Sequence, residues 1–170
     1  MADEILNRVT SSGLVSLDLE EILPQFNIEV IDLKGQLWQE LMLKEKDFRA
    51  WIKETDWSAF QDQHVSIVCT ADAIIPTWAY MLVASALAPF AQTVSTDSSD
   101  ELRKSLALAF VKNMSVVEYA DARIVVKGCS DESIPLEAYT ALVQKLQPVA
   151  KSLLFGEPCS TVPIYKKPRK

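Results

Sequence analysis

Residues 72–91 and 131–150 carry one pattern without a gap. Asp72-x-x-Ile75-Pro76-x-x-Ala79-Tyr80, followed by Leu87-x-Pro89-x-Ala91, returns as Asp131-x-x-Ile134-Pro135-x-x-Ala138-Tyr139, followed by Leu146-x-Pro148-x-Ala150. Eight of these twenty positions are identical at a constant offset of 59. The offset persists upstream, where Ala50-Trp51-Ile52-Lys53 matches Ala109-Phe110-Val111-Lys112 and Phe60-x-Asp62-x-His64-Val65 matches Tyr119-x-Asp121-x-Arg123-Ile124. Self-similarity at a fixed period marks a supersecondary unit used twice. The reading is an internal repeat over residues 43–94 and 102–153.

Each copy reads helix–strand–helix–strand. Phe48, Trp51 and Ile52 share a helical face over 45–53, and Leu102, Leu106 and Phe110 do so in the second copy. Ser98-x-x-Glu101 is a capping box ahead of that second helix. Val65-Ser66-Ile67-Val68 and Ile124-Val125-Val126 are short β-branched runs of the kind found in buried parallel strands. Pro76 and Pro135 suit a first helical turn, whose N–H is unpaired anyway. Pro89 and Pro148 end those helices near Ala88 and Gln147, and strands are expected over 90–95 and 149–155. Outside the repeat, Leu17–Leu23 reads as a helix capped by Ser16, Ile28–Leu33 as a strand, and Gln36–Leu43 as strand or helix. The expected fold is α/β: one layered domain over 1–170, with a mostly parallel sheet of about five strands and a basic tail at 164–170.

The net charge of −6 argues against a general nucleic-acid binder, which needs clustered Lys and Arg. Lys166-Lys167-Pro168-Arg169-Lys170 is the exception and reads as a solvated end or an electrostatic hook. The acidic start Met1-Ala2-Asp3-Glu4 is no secretory signal, and no apolar run reaches the roughly 20 residues of a membrane span. The protein is expected in the cytoplasm, away from membranes, where three Cys do not form structural disulfides.

Each of those cysteines falls at or past the end of an expected strand. Cys69 ends the first repeat strand, Cys129 follows the second, and Cys159 follows the last expected strand. Parallel strands would bring all three to the carboxyl edge, where open α/β sheets bind ligands. Thiolates with Asp72 or Asp131 as a further ligand would suit zinc or an iron–sulfur cluster. Helix N-termini at Pro76 and Pro135 would favour the thiolate form. Blander roles stand beside these: Cys69 as a core residue, the two Asp as helix caps, and Tyr80 and Tyr139 as packing between helix and sheet. Cys129 aligns with Thr70 rather than Cys69, so the symmetry is one residue out of step. The single histidine, His64, lies at the amino edge, which argues against a Ser/His/Asp triad or a His-rich metal site. Neither a P-loop nor G-x-G-x-x-G is present. Trp78 has no counterpart in the second copy and reads as a surface or interface residue.

Cys69-Thr70-Ala71-Asp72-Ala73-Ile74-Ile75-Pro76-x-Trp78-Ala79-Tyr80-Met81, Lys127-Gly128-Cys129-Ser130-Asp131 and Phe155-Gly156-Glu157-Pro158-Cys159-Ser160-Thr161-Val162-Pro163 together resemble a bacterial family, domain of unknown function 2480. Ile5-x-Asn7-Arg8-Val9 and Glu45-Lys46-Asp47-Phe48-Arg49 resemble it too. Members are often met beside iron–sulfur assembly genes, so the resemblance implies an accessory role in cluster assembly or sulfur handling, with assembly proteins as partners. Three functions stay open. The first is a thiolate metal or iron–sulfur accessory protein using Cys69, Cys129, Cys159, Asp72 and Asp131. The second is a non-enzymatic interaction module or homodimer with structural Cys, docking through Trp78 or the Val162–Tyr165 segment. The third, ranked last, is a thiol enzyme with Cys129 or Cys159 as nucleophile; whether the chain is an enzyme is left undecided.

Overall fold

The computed structural model describes residues 14–128, 134–157 and 160–168. In chain order the first elements are β1 (Leu14–Asp18), α1 (Leu19–Ile22), β2 (Ile28–Asp32), β3 (Leu37–Trp38) and β4 (Met42–Leu43). Then come α2 (Glu45–Glu54), β5 (His64–Val68), α3 (Thr77–Leu87), β6 (Thr93–Ser95) and α4 (Ser99–Asn113). The last are β7 (Arg123–Lys127), α5 (Leu136–Leu146), β8 (Ser152–Glu157) and β9 (Ser160–Lys166). They form a mixed α/β protein of two compact units: Gln25–Arg103, and Met1–Pro24 with Lys104–Lys170.

In the 25–103 unit, β2, β5 and β6 form a three-stranded parallel sheet with β5 in the middle. His64 to Ile67 are all buried, so the strand reads as a continuous run rather than an alternation. The crossover from β5 to β6 is α3, which buries Ala79, Val83 and Leu87 at four-residue spacing. That stripe packs with Leu33, Phe48, Trp57, Val65 and Ile67 in one core. The antiparallel pair β3–β4 forms a separate ribbon.

In the 104–170 unit the sheet order is β1-β7-β8-β9, parallel except for the antiparallel β8–β9 pair. The crossover α5 buries Ala138, Leu142 and Leu146, again at four-residue spacing. They join Leu17, Leu19, Ile124, Val126 and Leu153 in a second core. Fully burying one such leucine contributes about 1.5–3 kcal/mol.

Elements recur at the spacing of the sequence pattern. β5 begins at His64 and β7 at Arg123, while α3 begins at Thr77 and α5 at Leu136, each pair 59 residues apart. The junctions recur too. Asp62 and Asp121 both adopt positive φ (60° and 53°), a conformation Asp tolerates better than most residues. Their N–H groups donate to Phe90 O and Val149 O. Past the helix ends, Ala91 N donates to Leu87 O and Ala150 N to Leu146 O.

The expectation of a single sheet of about five strands is overturned. Each repeat strand is completed separately: β2 pairs with β5, whereas β1, in the segment read as part of a helix, pairs with β7 in the equivalent register. Leu17 of β1 and Leu19, which opens α1, are both buried, and the acidic residues around them obscured the strand. Only Leu19–Ile22 is helical, capped by Asp18 rather than Ser16. Pro76 and Pro135 occupy the N-cap positions, one residue before the first turn. Residues 160–166 form a strand on β8. Pro163 is tolerated there because β9 lies at a sheet edge, where a missing N–H breaks no ladder. Trp78 packs edge-on against Phe48, with ring centroids 5.7 Å apart. Among the described residues no helix is long and apolar enough to cross a membrane.

Candidate functional site

Parallel order puts the ends of β2, β5 and β6 at one carboxyl edge in the 25–103 unit. Asp32 ends β2 and caps the following turn by accepting from Lys34 N at 2.9 Å. Its carboxylate also accepts from the Thr70 hydroxyl (2.5 Å) and Thr70 N (3.1 Å), tying the β2 end to the loop after β5. The Thr70 hydroxyl first, and then Lys34 N–H, hold the Asp32 carboxyl below its ordinary value. Beside β6, the buried Ser66 hydroxyl donates to Asp97 O and the Ser95 hydroxyl to the Asp97 carboxylate (2.7 Å).

Cys69 follows β5 directly and is partly buried against this core, its Sγ 3.7 Å from Ala71 O. Burial and the neighbouring Cys69 raise the Tyr80 phenol above its ordinary value. Asp72 is exposed in the loop between β5 and α3. His64 begins β5 at the opposite, amino edge and is buried, with Nδ1 lacking a hydrogen-bond partner among the described residues. Burial pushes its pKa down.

In the 104–170 unit the carboxyl edge carries Asp18, Lys127, Gly128, Gly156 and Glu157. The Lys127 ammonium lies 3.8 Å from the Glu157 carboxylate. Gly128 and Gly156 adopt φ of +124° and +117°, a region that side-chain-bearing residues enter only under strain. A Cβ on Gly128 would sit 2.2 Å from Tyr139 Oη, so the Tyr139 hydroxyl end is seated against bare backbone. Tyr139 also meets Phe155 edge-on at 6.1 Å.

Cys129, Asp131 and Cys159 lie outside the described residues. In the chain Cys69 and Asp72 follow β5 of the three-stranded sheet, whereas Cys129 follows β7 and Cys159 follows β8, both strands of the four-stranded sheet. Among the described residues no group of three or more His, Cys, Asp or Glu is placed to hold a metal ion. Asp32 was missed in the sequence. The signal was present: Leu17-Asp18-Leu19 and Ile31-Asp32-Leu33 place an Asp between two buried apolar residues at a strand end.

No curated protein and no solved structure matches the chain. The family model described as "Protein of unknown function (DUF2480)" matches residues 3–167, and the chain belongs to that family.

Proposed function

We propose that the protein is a cytoplasmic thiolate protein that holds zinc or an iron–sulfur cluster and serves iron–sulfur assembly or sulfur handling. Cys129 and Cys159 are its central ligands, with Asp131 beside them. The observation that carries this reading is the edge formed by β7 and β8. The two strands are hydrogen-bonded neighbours, and their ends are bridged by Lys127 and Glu157. Each carries a positive-φ glycine there, Gly128 and Gly156, one and three residues before a cysteine. A cationic Lys and the N-terminus of α5 favour thiolate over thiol. Soft thiolate donors suit zinc and iron–sulfur chemistry better than hard cations. Cys69 and Asp72, after β5 in the 25–103 unit, are candidates in their own right. This reading takes the two units as copies of one supersecondary unit, supported by the common spacing of their elements.

Anaerobic purification with elemental analysis and a UV–visible spectrum tests it. Near-stoichiometric zinc, or iron with charge-transfer absorption, is expected, and Cys129→Ser and Cys159→Ser should each lose it. Metal-free wild type, or metal retained in both variants, sinks the reading. Cys69→Ser and Asp72→Asn decide whether those two residues contribute.

A second reading, an interaction module or homodimer, is favoured by the exposed Trp38, Leu41 and Met42 of the β3–β4 ribbon. Sedimentation of wild type and Trp38→Ser distinguishes self-association from a monomer. Neither reading calls for nucleic acid or membrane.

A further inference from the structure

We propose that the 104–170 unit binds a small uncharged apolar molecule, a single aromatic ring or a short alkyl group, in a half-open apolar pocket of about 170 Å³ between α5 and the β8–β9 pair. Tyr139 and Val143 form the helix wall, Leu154 and Phe155 the β8 floor, and Ile164 the β9 rim. None of the described residues lining it is charged. Its one further hydroxyl, on Thr140, already donates to Glu137 O at 3.0 Å.

Folded interiors leave few voids larger than a water molecule. An enclosed apolar cavity of about 150 Å³ accepts benzene, and this pocket has a similar volume but opens on one side to solvent. The space therefore matches one ring or about six carbons, and its lining would leave a buried charge unpaired.

The void has a structural cause. The buried stripe of α5 packs with Ile124 and Leu153 of β7 and β8, and β9 extends the sheet beyond them. The 25–103 unit has no counterpart of β9. The nearest ring is also held in place. Tyr139 is pinned by its seat on Gly128 and its edge-on contact with Phe155, so it forms a wall instead of swinging in to fill the space.

Methyl NMR of the full chain, titrated with toluene, tests this proposal. Saturable shifts confined to the methyls of Val143, Leu154, Ile164 and their neighbours are expected, with benzoate weaker by about tenfold or more. Val143→Phe places a ring in the cavity and should abolish toluene binding. Should that variant fail to fold, Ile164→Trp fills the space from the exposed strand and should do the same. The proposal is overturned by an absence of saturable shifts up to the solubility of toluene, or by undiminished binding in a folded, filled variant. It is overturned equally if these methyls shift with protein concentration alone, which would mean that a second copy fills the cavity.

Discussion

Gly128→Ala concentrates two costs at one position. At φ +124° an L-residue pays about 1–3 kcal/mol in backbone strain. The new Cβ would also stand 2.2 Å from Tyr139 Oη and 3.0 Å from Cζ, so the ring must move. Moving it loses the edge-on contact with Phe155, worth about 0.5–1.5 kcal/mol. The expected destabilisation is about 2–4 kcal/mol. In a Tyr139→Phe background the hydroxyl is gone and the ring contacts at 3.0 and 3.1 Å remain, which a shift of a few tenths of an ångström relieves. The same substitution should then cost about 1 kcal/mol less, and a double-mutant cycle cancels the other losses caused by removing the hydroxyl. All four tryptophans, Trp38, Trp51, Trp57 and Trp78, lie in the 25–103 unit, so their fluorescence does not report directly on Gly128. Hydrogen exchange at the β7 amides of Ile124 to Val126 is the suitable assay. A cost below about 0.5 kcal/mol, or an equal cost in both backgrounds, would refute the argument.

Burial holds His64 below its ordinary pKa of 6.5. The unfolded chain therefore binds a proton near that pH while the folded chain resists it. Stability of the 25–103 unit should be level above about pH 6.5 and fall as the pH drops from there towards the folded value. The urea midpoint by Trp fluorescence should be lower at pH 5.5 than at 7.5 in wild type and flatter in His64→Gln; equal slopes would exclude His64 as the cause. Asp32→Asn should cost no more than about 1 kcal/mol, because the carboxylate is exposed to solvent. The stabilising effect of the ionised Asp32 should be present above pH 3.8 and disappear as the pH falls through its lower folded value. An NMR titration of the Asp32 carboxyl that gives an ordinary midpoint would count against the Thr70 contact.

Local signals in the sequence located most of the elements, and the reasons differ by element. The repeat strands, the helices bounded by prolines and Glu45–Glu54 were legible because period and punctuation are local. Ser98 also caps its helix, with Oγ accepting from Glu101 N at 3.3 Å. The pairing of strands was not legible. Which strand completes β5 and which completes β7 is decided by contacts between residues 36 and 109 positions apart, Ile28 with His64 and Leu14 with Arg123. β9 was hidden by Pro163, which weakens any strand signal and is acceptable only once the edge position is known. At the candidate site, the apolar run that ends at Cys69 fixed its place. Asp32 went unnoticed because its partner Thr70 is 38 residues away.

The one-residue displacement of the cysteines has a physical reading once the two tyrosines are compared. Tyr80 and Tyr139 stand at corresponding positions in α3 and α5; Tyr80 packs against the same core as Cys69, whereas Tyr139 meets Gly128. Residues 69 and 128 are the equivalent positions after β5 and β7. A side chain at 128 would take the space that the Tyr139 hydroxyl occupies, and the φ there would strain one in any case. A cysteine in register with Cys69 is therefore incompatible with the seated Tyr139. In the sequence the cysteine after β7 comes one residue later, at Cys129. The two edges then follow different chemistry. One ends in a half-buried thiol against a core, and the other in a glycine that seats a tyrosine. That divergence makes Cys129, rather than Cys69, the first substitution to make when metal content is measured.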